Sequence, residues 1–433
     1  MQTTERDSIP PYLPTENGFE AIILAGGTGS RLQATVPEIP KVLAPVAGKP
    51  FLSFVIDALR MQGVTRFVFA LGHKAGQVEK FLKESYPTLS YAITIENELL
   101  GTGGATRLAL QKTKAQHVLI VNGDTLFKVD IAFLFQQHLE RDATCTLALS
   151  YTENANRYGR VVLEEDGRVS AFQEKNSTSS GWINGGIYVL DKKKFFTHSF
   201  AAAFSFEEAF LKKFLHTGTI YGTVQDGFFI DIGIPDDYQK AQTVLASKPL
   251  DLSSVDTSWT LFIDRDGVIN EETIGEYILH WNQFIFSKGV LQSFKKLSDV
   301  FGRLLLVTNQ RGVGKGLMTK QALDSIHFEM QREISIAGGH LDKIYFCTDT
   351  DNSSFHRKPN PGMAVQAKRD FPEIDFSKSI MVGNKPSDMR FGRAAGMYTV
   401  FLATTNPDEP FPHPNIDLRF NNLAEFAAAL PAG

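Results

Sequence analysis

Short apolar runs alternate with amphipathic stretches from Ala21 onward. AIILA (21–25), RFVFAL (66–71) and HVLIVNGD (117–124) are rich in β-branched and aromatic residues, bounded by Gly or polar positions, and predict buried strands. Between them, Phe51 to Gln62 and Gly76 to Glu84 carry apolar residues at helical spacing, so the pattern predicts parallel strands joined by crossover helices. Between Thr144 and Leu190 the rhythm changes to closely spaced strands, CTLALSY, YGRVVLEEDGRVSAF and WINGGIYVL, with a hairpin signal at Glu165-Asp166-Gly167. That stretch predicts antiparallel additions to the sheet. A helix over Pro235 to Ala246 closes the unit.

Residues 247–258, SKPLDLSSVDTS, are polar and contain Pro249, the composition of a linker. At Trp259 the alternation restarts: TLFID, a helix near Val290 to Leu297, RLLLVTN, a helix near Lys320 to Ile334, KIYFC and SIMVG. The expected fold class is therefore α/β in two domains, at 20–246 and 259–433. They are preceded by a flexible tail at 1–19 and separated by the linker at 247–258.

The chain length agrees, because 433 residues with 43% hydrophobic content exceed what one core usually holds. A net charge of -4 gives no clustered basic surface for nucleic acid or an anionic membrane, so any phosphate binding must be local. The two cysteines, Cys145 and Cys347, have no partner pattern, which argues against a disulfide framework and fits a reducing cytosol. The tail holds Glu5, Arg6, Asp7 and several prolines but no apolar centre, unlike a signal peptide. With no apolar run of about 18 residues, the expectation is a soluble, cytoplasmic protein.

Chemistry enters at Leu24-Ala25-Gly26-Gly27-Thr28-Gly29-Ser30-Arg31, directly after a strand. Glycines there let amide N–H groups approach phosphates, and Arg31 adds a charged fork. Together with Pro40-Lys41-Val42-Leu43-Ala44-Pro45-Val46, the segment resembles the signature of sugar-1-phosphate nucleotidyltransferases. The resemblance implies a Rossmann-like sheet with the site at the carboxyl ends of its strands. It puts the nucleotide on residues 24 to 29, Arg31 on its phosphates and Lys41 between the two anionic reactants. Gly101 and Thr102 resemble the second glycine-rich segment, which cradles base and ribose, and Asp124 lies at a strand end.

Transfer to an α-phosphorus calls for a divalent ion, for which Asp124 and Asp231 are the expected Mg²⁺ ligands. Glu174 and Lys175, with Asn184 and Gly185, resemble the family's contacts to sugar and sugar phosphate.

The second motif is Asp264-Arg265-Asp266-Gly267, where two carboxylates at i and i+2 just beyond an apolar strand can face one metal. Asp264 is the expected nucleophile and Asp266 the general acid and then base. The segment resembles the haloacid dehalogenase superfamily of phosphatases. By that resemblance Thr308 donates to the phosphoryl group, Lys358 neutralises it, and Asn309, Gln310, Arg311 and Arg357 contact the sugar phosphate. Mg²⁺ would be held by Asp264, Asp266, Asn384 and Asp388. About 40 residues separate the first two motifs, too few for a large cap.

DRDGVIN, TNQRGVGKG and RKPNPGM narrow the likeness to heptose bisphosphate phosphatases, and PKVLAPVAGKPFL, LLGTGGA and FIDIGIPDDY narrow the first half to heptose 1-phosphate guanylyltransferases. Two departures stand out. Of the zinc loop common in those phosphatases only Cys347 and His356 remain, too few for a closed four-coordinate site, so no zinc is expected. Asn384 stands where the family usually has an aspartate, which leaves open a domain that only holds a phosphorylated sugar.

The resemblance implies GTP, heptose 1-phosphate and heptose 1,7-bisphosphate as partners, Mg²⁺ in both domains, and no nucleic acid or membrane partner. Base, sugar, anomer and homo-oligomer state stay open, as does a hexose-1-phosphate transferase fused to a general sugar phosphatase.

Overall fold

The computed structural model describes residues 18–27, 32, 36, 38–152, 159–173, 180–246, 249–272, 275–413 and 415–431. The chain divides into two compact units, residues 1–247 and 248–433, and both are α/β.

The first unit opens with β1 (Phe19–Ala25), the short pair β2 (Pro45–Val46) and β3 (Lys49–Pro50), and α1 (Phe51–Met61). Next come β4 (Val64–Leu71), α2 (Ala75–Ser85), β5 (Ser90–Ile95), α3 (Gly101–Leu110), β6 (His117–Asn122), β7 (Thr125–Phe127) and α4 (Ile131–Glu140). It continues through β8 (Cys145–Thr152), β9 (Arg160–Leu163), β10 (Val169–Gln173), β11 (Gly181–Asp191) and α5 (Lys192–Phe196). A π-helical segment at Phe206–Lys212 precedes β12 (Ile220–Val224), β13 (Phe229–Asp231) and α6 (Pro235–Val244).

Among the described residues the main sheet has nine strands in the order β10-β9-β11-β6-β1-β4-β5, with β8 against β11 and β12 against β8. Its centre, β6-β1-β4-β5, is parallel, while β11 runs antiparallel to both β6 and β8. The antiparallel addition falls where the sequence rhythm changes. Strand alternation divides the core: Ile23, Phe67, Phe69 and Val121 face one apolar layer, and Ile22, Val68, Ala70 and Ile120 the other. The second layer holds a run of packed rings, Phe195, Phe200, Phe204, Phe206 and Phe210, which backs α3.

The second unit contains β14 (Thr260–Ile263), α7 (Val290–Val300), β15 (Arg303–Asn309), α8 (Arg311–Gly314), α9 (Lys320–Ile336) and β16 (Lys343–Cys347). It ends with α10 (Gly362–Asp370), β17 (Ser379–Gly383), α11 (Pro386–Ala395), β18 (Tyr398–Leu402), β19 (Leu418–Phe420) and α12 (Leu423–Ala429). Among the described residues its six strands, ordered β16-β15-β14-β17-β18-β19, are all parallel. Between β14 and β15 the chain carries a largely irregular segment and α7, a crossover with minimal cap. Of the stretch expected as a linker, Leu250, Leu252 and Val255 pack against the core of this unit. Among the described residues no helix is long and apolar enough to cross a membrane.

Candidate active sites

In the first unit Gly26, Gly27, Lys41, Asp124 and Asp231 lie where β1 and β6 end, at the carboxyl edge of the parallel strands. Gly26 and Gly27 continue β1 beyond Leu24 and Ala25. A Cβ at Gly26 would come within 2.6 Å of Glu96 Oε1, so a side chain there would have to displace that carboxylate. Thr28, Gly29 and Arg31 lie outside the described residues, as do Glu174 and Lys175.

Lys41 opens a single 3₁₀ turn anchored by buried Val42 and Leu43. Its ammonium pairs with Asp124 and lies 3.9 Å from Asp231 Oδ1. The two aspartates are far apart in sequence but meet because β7 and β13 form an antiparallel ribbon in which Thr125 faces Asp231. Burial pushes the Asp231 carboxyl up to about 6, Asp124 adds to this, and Lys41 opposes it. The two half-buried carboxylates are oxygen donors of the kind a hard divalent cation takes, with the Lys41 ammonium standing between them.

Gly101 and Thr102 start α3. Gly101 has φ of 68°, and a Cβ there would lie 2.6 Å from Phe204 O. Thr102 is exposed, and its hydroxyl accepts from Phe206 N at 2.9 Å, tying the start of α3 to the segment after Phe204. Glu96, missed in the sequence, accepts from Leu100 N at 3.0 Å and ties the end of β5 to this loop. Its signal was a carboxylate ending a strand next to a glycine-rich turn.

Asn184 lies on β11 where the pairing register shifts. Its Nδ2 donates to the Tyr188 hydroxyl at 2.7 Å and its Oδ1 accepts from Gly186 N at 3.0 Å. A Cβ at Gly185 would strike the Phe127 ring at 2.4 Å, which presses this bulge against the strand that follows Asp124.

In the second unit the residues collect at the carboxyl ends of β14, β15 and β17. Lys358, 3% exposed, forms ion pairs with Asp264 at 2.8 Å and Asp388 at 2.7 Å and donates to Val307 O at 2.8 Å. Burial pushes Asp264 up to about 6, the Asp388 charge adds to this, and Lys358 and Lys385 oppose it. Burial works against the charge of Lys358, yet the two aspartates hold it above the ordinary lysine value.

Thr308, 1% exposed, and Asp266 are bridged by Gln310, whose Nε2 donates to both at 2.9 Å. The Asn309 amide grips the Lys358 backbone with two bonds of 3.0 Å. Arg311 and Arg357 converge on Asn352 Oδ1, at 2.5 and 3.4 Å. Arg357 lies below the usual arginine value through burial and the nearby Arg311 charge.

Arg265 had no expected role. Its guanidinium is buried and grips Asp266 Oδ1 through Nε at 3.0 Å and Nη2 at 2.8 Å. Its Nη1 lies 3.3 Å from His327 Nε2 on α9. His327 is pushed down to about 3 by burial and by Arg265, so it is neutral and its ring nitrogen accepts. Burial alone would raise Asp266, but Arg265, Gln310 and Asn270 outweigh it and hold the carboxyl below its usual range.

On the β17 side, Asn384 is fully buried. Its Nδ2 donates to Thr405 Oγ1 at 2.6 Å and Glu272 Oε2 at 3.2 Å. Its Oδ1 is buried with no hydrogen-bond partner among the described residues. Asp388 Oδ2 accepts from Lys385 N at 3.0 Å, fixing the start of α11. An orphaned amide oxygen beside this carboxylate cluster fits a hard cation.

Comparison with known proteins follows the same division. A nucleotidyl transferase family model matches residues 20–248, and a HAD-hydrolase-like model matches residues 355–425. The chain is 45% identical over 227 residues to D-glycero-alpha-D-manno-heptose 1-phosphate guanylyltransferase of Aneurinibacillus thermoaerophilus, covering 52% of this chain and 98% of that protein. The protein of the same name from Campylobacter jejuni is 38% identical over 220 residues, covering 51% of this chain and 97% of its own. D-glycero-alpha-D-manno-heptose-1,7-bisphosphate 7-phosphatase of Mycobacterium bovis is 32% identical over 173 residues, covering 40% of this chain and 91% of that protein.

Proposed function

This chain belongs to the nucleotidyl transferase family through residues 20–248 and carries beyond it a HAD-type phosphatase unit, and from that premise we propose one bifunctional enzyme of activated-heptose synthesis. The second unit removes the 7-phosphate of heptose 1,7-bisphosphate. The first joins the resulting heptose 1-phosphate to GMP from GTP, giving GDP-heptose and pyrophosphate. The product of one step is the substrate of the other, and a cytoplasmic pool supplies the GTP. The observation that carries the reading is that each unit presents a carboxylate pair around one lysine, Lys41 in the first and Lys358 in the second.

In the transferase, an oxygen of the sugar 1-phosphate attacks the α-phosphorus in line and the bond to the β-phosphate oxygen breaks. Lys41 sits between the two anions, and Arg31 and the backbone of Gly26 to Gly29 receive the nucleotide phosphates. Gly101 and Thr102 shape the base and ribose loop. Glu174, Lys175, Asn184 and Gly185 would contact the sugar and its phosphate, as the family resemblance implies. Asp124 and Asp231 would hold Mg²⁺, and Asp264, Asp266, Asn384 and Asp388 another, supplying positive charge against the phosphoryl oxygens.

In the phosphatase, the Asp264 carboxylate attacks the 7-phosphorus and the sugar oxygen leaves with a proton from Asp266. Water then attacks the aspartyl-phosphate, Asp266 takes back a proton, and phosphate departs. Lys358 and Thr308 meet the phosphoryl oxygens, while Asn309, Gln310, Arg311 and Arg357 serve the rest of the substrate. Asp266 is held ionised in the resting site, so the arriving phosphate charge must first raise its affinity for a proton.

Full-length protein with Mg²⁺, heptose 1,7-bisphosphate and GTP is expected to release phosphate and pyrophosphate and form GDP-heptose. Absence of phosphate release under every metal tried removes the phosphatase half. A panel of hexose 1-phosphates and other triphosphates tests the other half, and equal turnover of a hexose 1-phosphate overturns the heptose assignment.

A further inference from the structure

Asn384 poses a chemical problem, because an amide gives a cation one oxygen without charge and can turn its nitrogen inward instead. The structure answers it with a residue outside the sequence motifs. Thr405 Oγ1 donates to Glu272 Oε2 at 3.1 Å, so its lone pairs are left to accept from Asn384 Nδ2 at 2.6 Å. Glu272 also accepts from that Nδ2, at 3.2 Å. A carboxylate has no proton to give, so turning the amide over would set two oxygens against each other. The ring of Glu272, Thr405 and Asn384 therefore has one direction, and it leaves Oδ1 buried, unpartnered among the described residues and facing away from Glu272.

The same carboxylate pairs with Lys385, whose ammonium otherwise adds positive charge beside Asp264. Gly267 closes the arrangement: its φ is 82°, and a Cβ there would lie 2.0 Å from Asn384 Nδ2, so the nucleophile loop packs directly on the amide.

We infer that Glu272 is the positioning residue of the second unit's cation site, fixing Asn384 Oδ1 toward the ion and offsetting Lys385 in place of the charge an aspartate at 384 would bring. This rests on the phosphatase reading above. Orientation of a metal-binding group by an outer carboxylate is worth roughly 10- to 100-fold in affinity.

The test is calorimetric Mg²⁺ titration of full-length protein carrying Asp124→Asn and Asp231→Asn, so that the second unit is observed alone. In that parent, binding is expected and is lost on Asp264→Asn. Glu272→Gln is expected to weaken it by about tenfold. Thr405→Val, which removes the other acceptor, is expected to weaken it by roughly threefold, the lesser effect of an uncharged partner. Asn384→Asp added to Glu272→Gln is expected to restore it, because a carboxylate has no wrong face and brings its own charge. Unfolding midpoints in EDTA check that each variant is folded. If Glu272→Gln and Thr405→Val both bind within about twofold of the parent, the role of Glu272 is overturned while the phosphatase reading stands. A parent showing no Asp264-dependent binding ends both.

Discussion

Asp264 is one of two carboxylates sharing a single buried ammonium, and that imbalance has a thermodynamic consequence. Its carboxyl is raised from 3.8 to about 6, so between those values the folded protein holds more protons than the unfolded chain, and stability falls as pH rises through that window. Above pH 6 the cost of burying the charge is fully present. Asp264→Asn leaves Lys358 balanced by Asp388 alone. In metal-free protein the variant is expected to match wild type near pH 4 and exceed it at pH 7 by on the order of 1–3 kcal/mol, measured by urea unfolding in EDTA, while phosphate release is abolished. At the other site, Lys41→Met removes the group that opposes the rise of Asp231 and the bridge between two anions. Pyrophosphate release should fall by about 100-fold or more with phosphate release unchanged; equal loss of both would contradict it. The DxD pair was legible from spacing and type, and Lys358 was expected from the family resemblance. Arg265, His327 and Glu272 were not, because a charged residue inside a motif, a histidine in a helix and a loop glutamate have no distinctive pattern until the fold brings their partners to them.

At the scale of elements, long amphipathic helices followed the sequence closely. The helix expected over Phe51 to Gln62 is α1 at Phe51–Met61, and the one near Lys320 to Ile334 is α9 at Lys320–Ile336. Three-residue strands are too short to show a period, and it is the pairing of β7 with β13 that joins Asp124 to Asp231. The bulge in β11 was likewise invisible as a bulge, although its glycines were visible as residues. Gly186 has φ of 72° and a Cβ there would lie 2.8 Å from Asn122 Nδ2. Gly186→Ala is therefore expected to destabilise the first unit by at least about 1–2 kcal/mol and to impair nucleotidyl transfer, leaving phosphate release intact. Denaturant unfolding with both product assays decides it; unchanged stability would mean the backbone can relax there.

For the whole molecule, each unit has its own apolar core, with Phe69 and Val121 in one and Phe262, Phe294 and Leu306 buried in the other. Two calorimetric unfolding transitions are expected. GTP with Mg²⁺ should raise only one of them and inorganic phosphate with Mg²⁺ only the other, since a ligand stabilises the fold that binds it. A single transition moved by both ligands would show the units unfolding as one. Hydrophobic period, a property of neighbouring positions, was enough for the α/β class and the restart of the pattern at Trp259, while the site residues entered as expectations from local chemistry and family resemblance. Folding in three dimensions was needed to bring Asp231 to Asp124 through a short ribbon, to share Lys358 between Asp264 and Asp388, and to set which way the Asn384 amide faces. Those outcomes depend on strand register, burial and the direction of hydrogen bonds between residues distant in the chain, none of which a one-dimensional pattern contains.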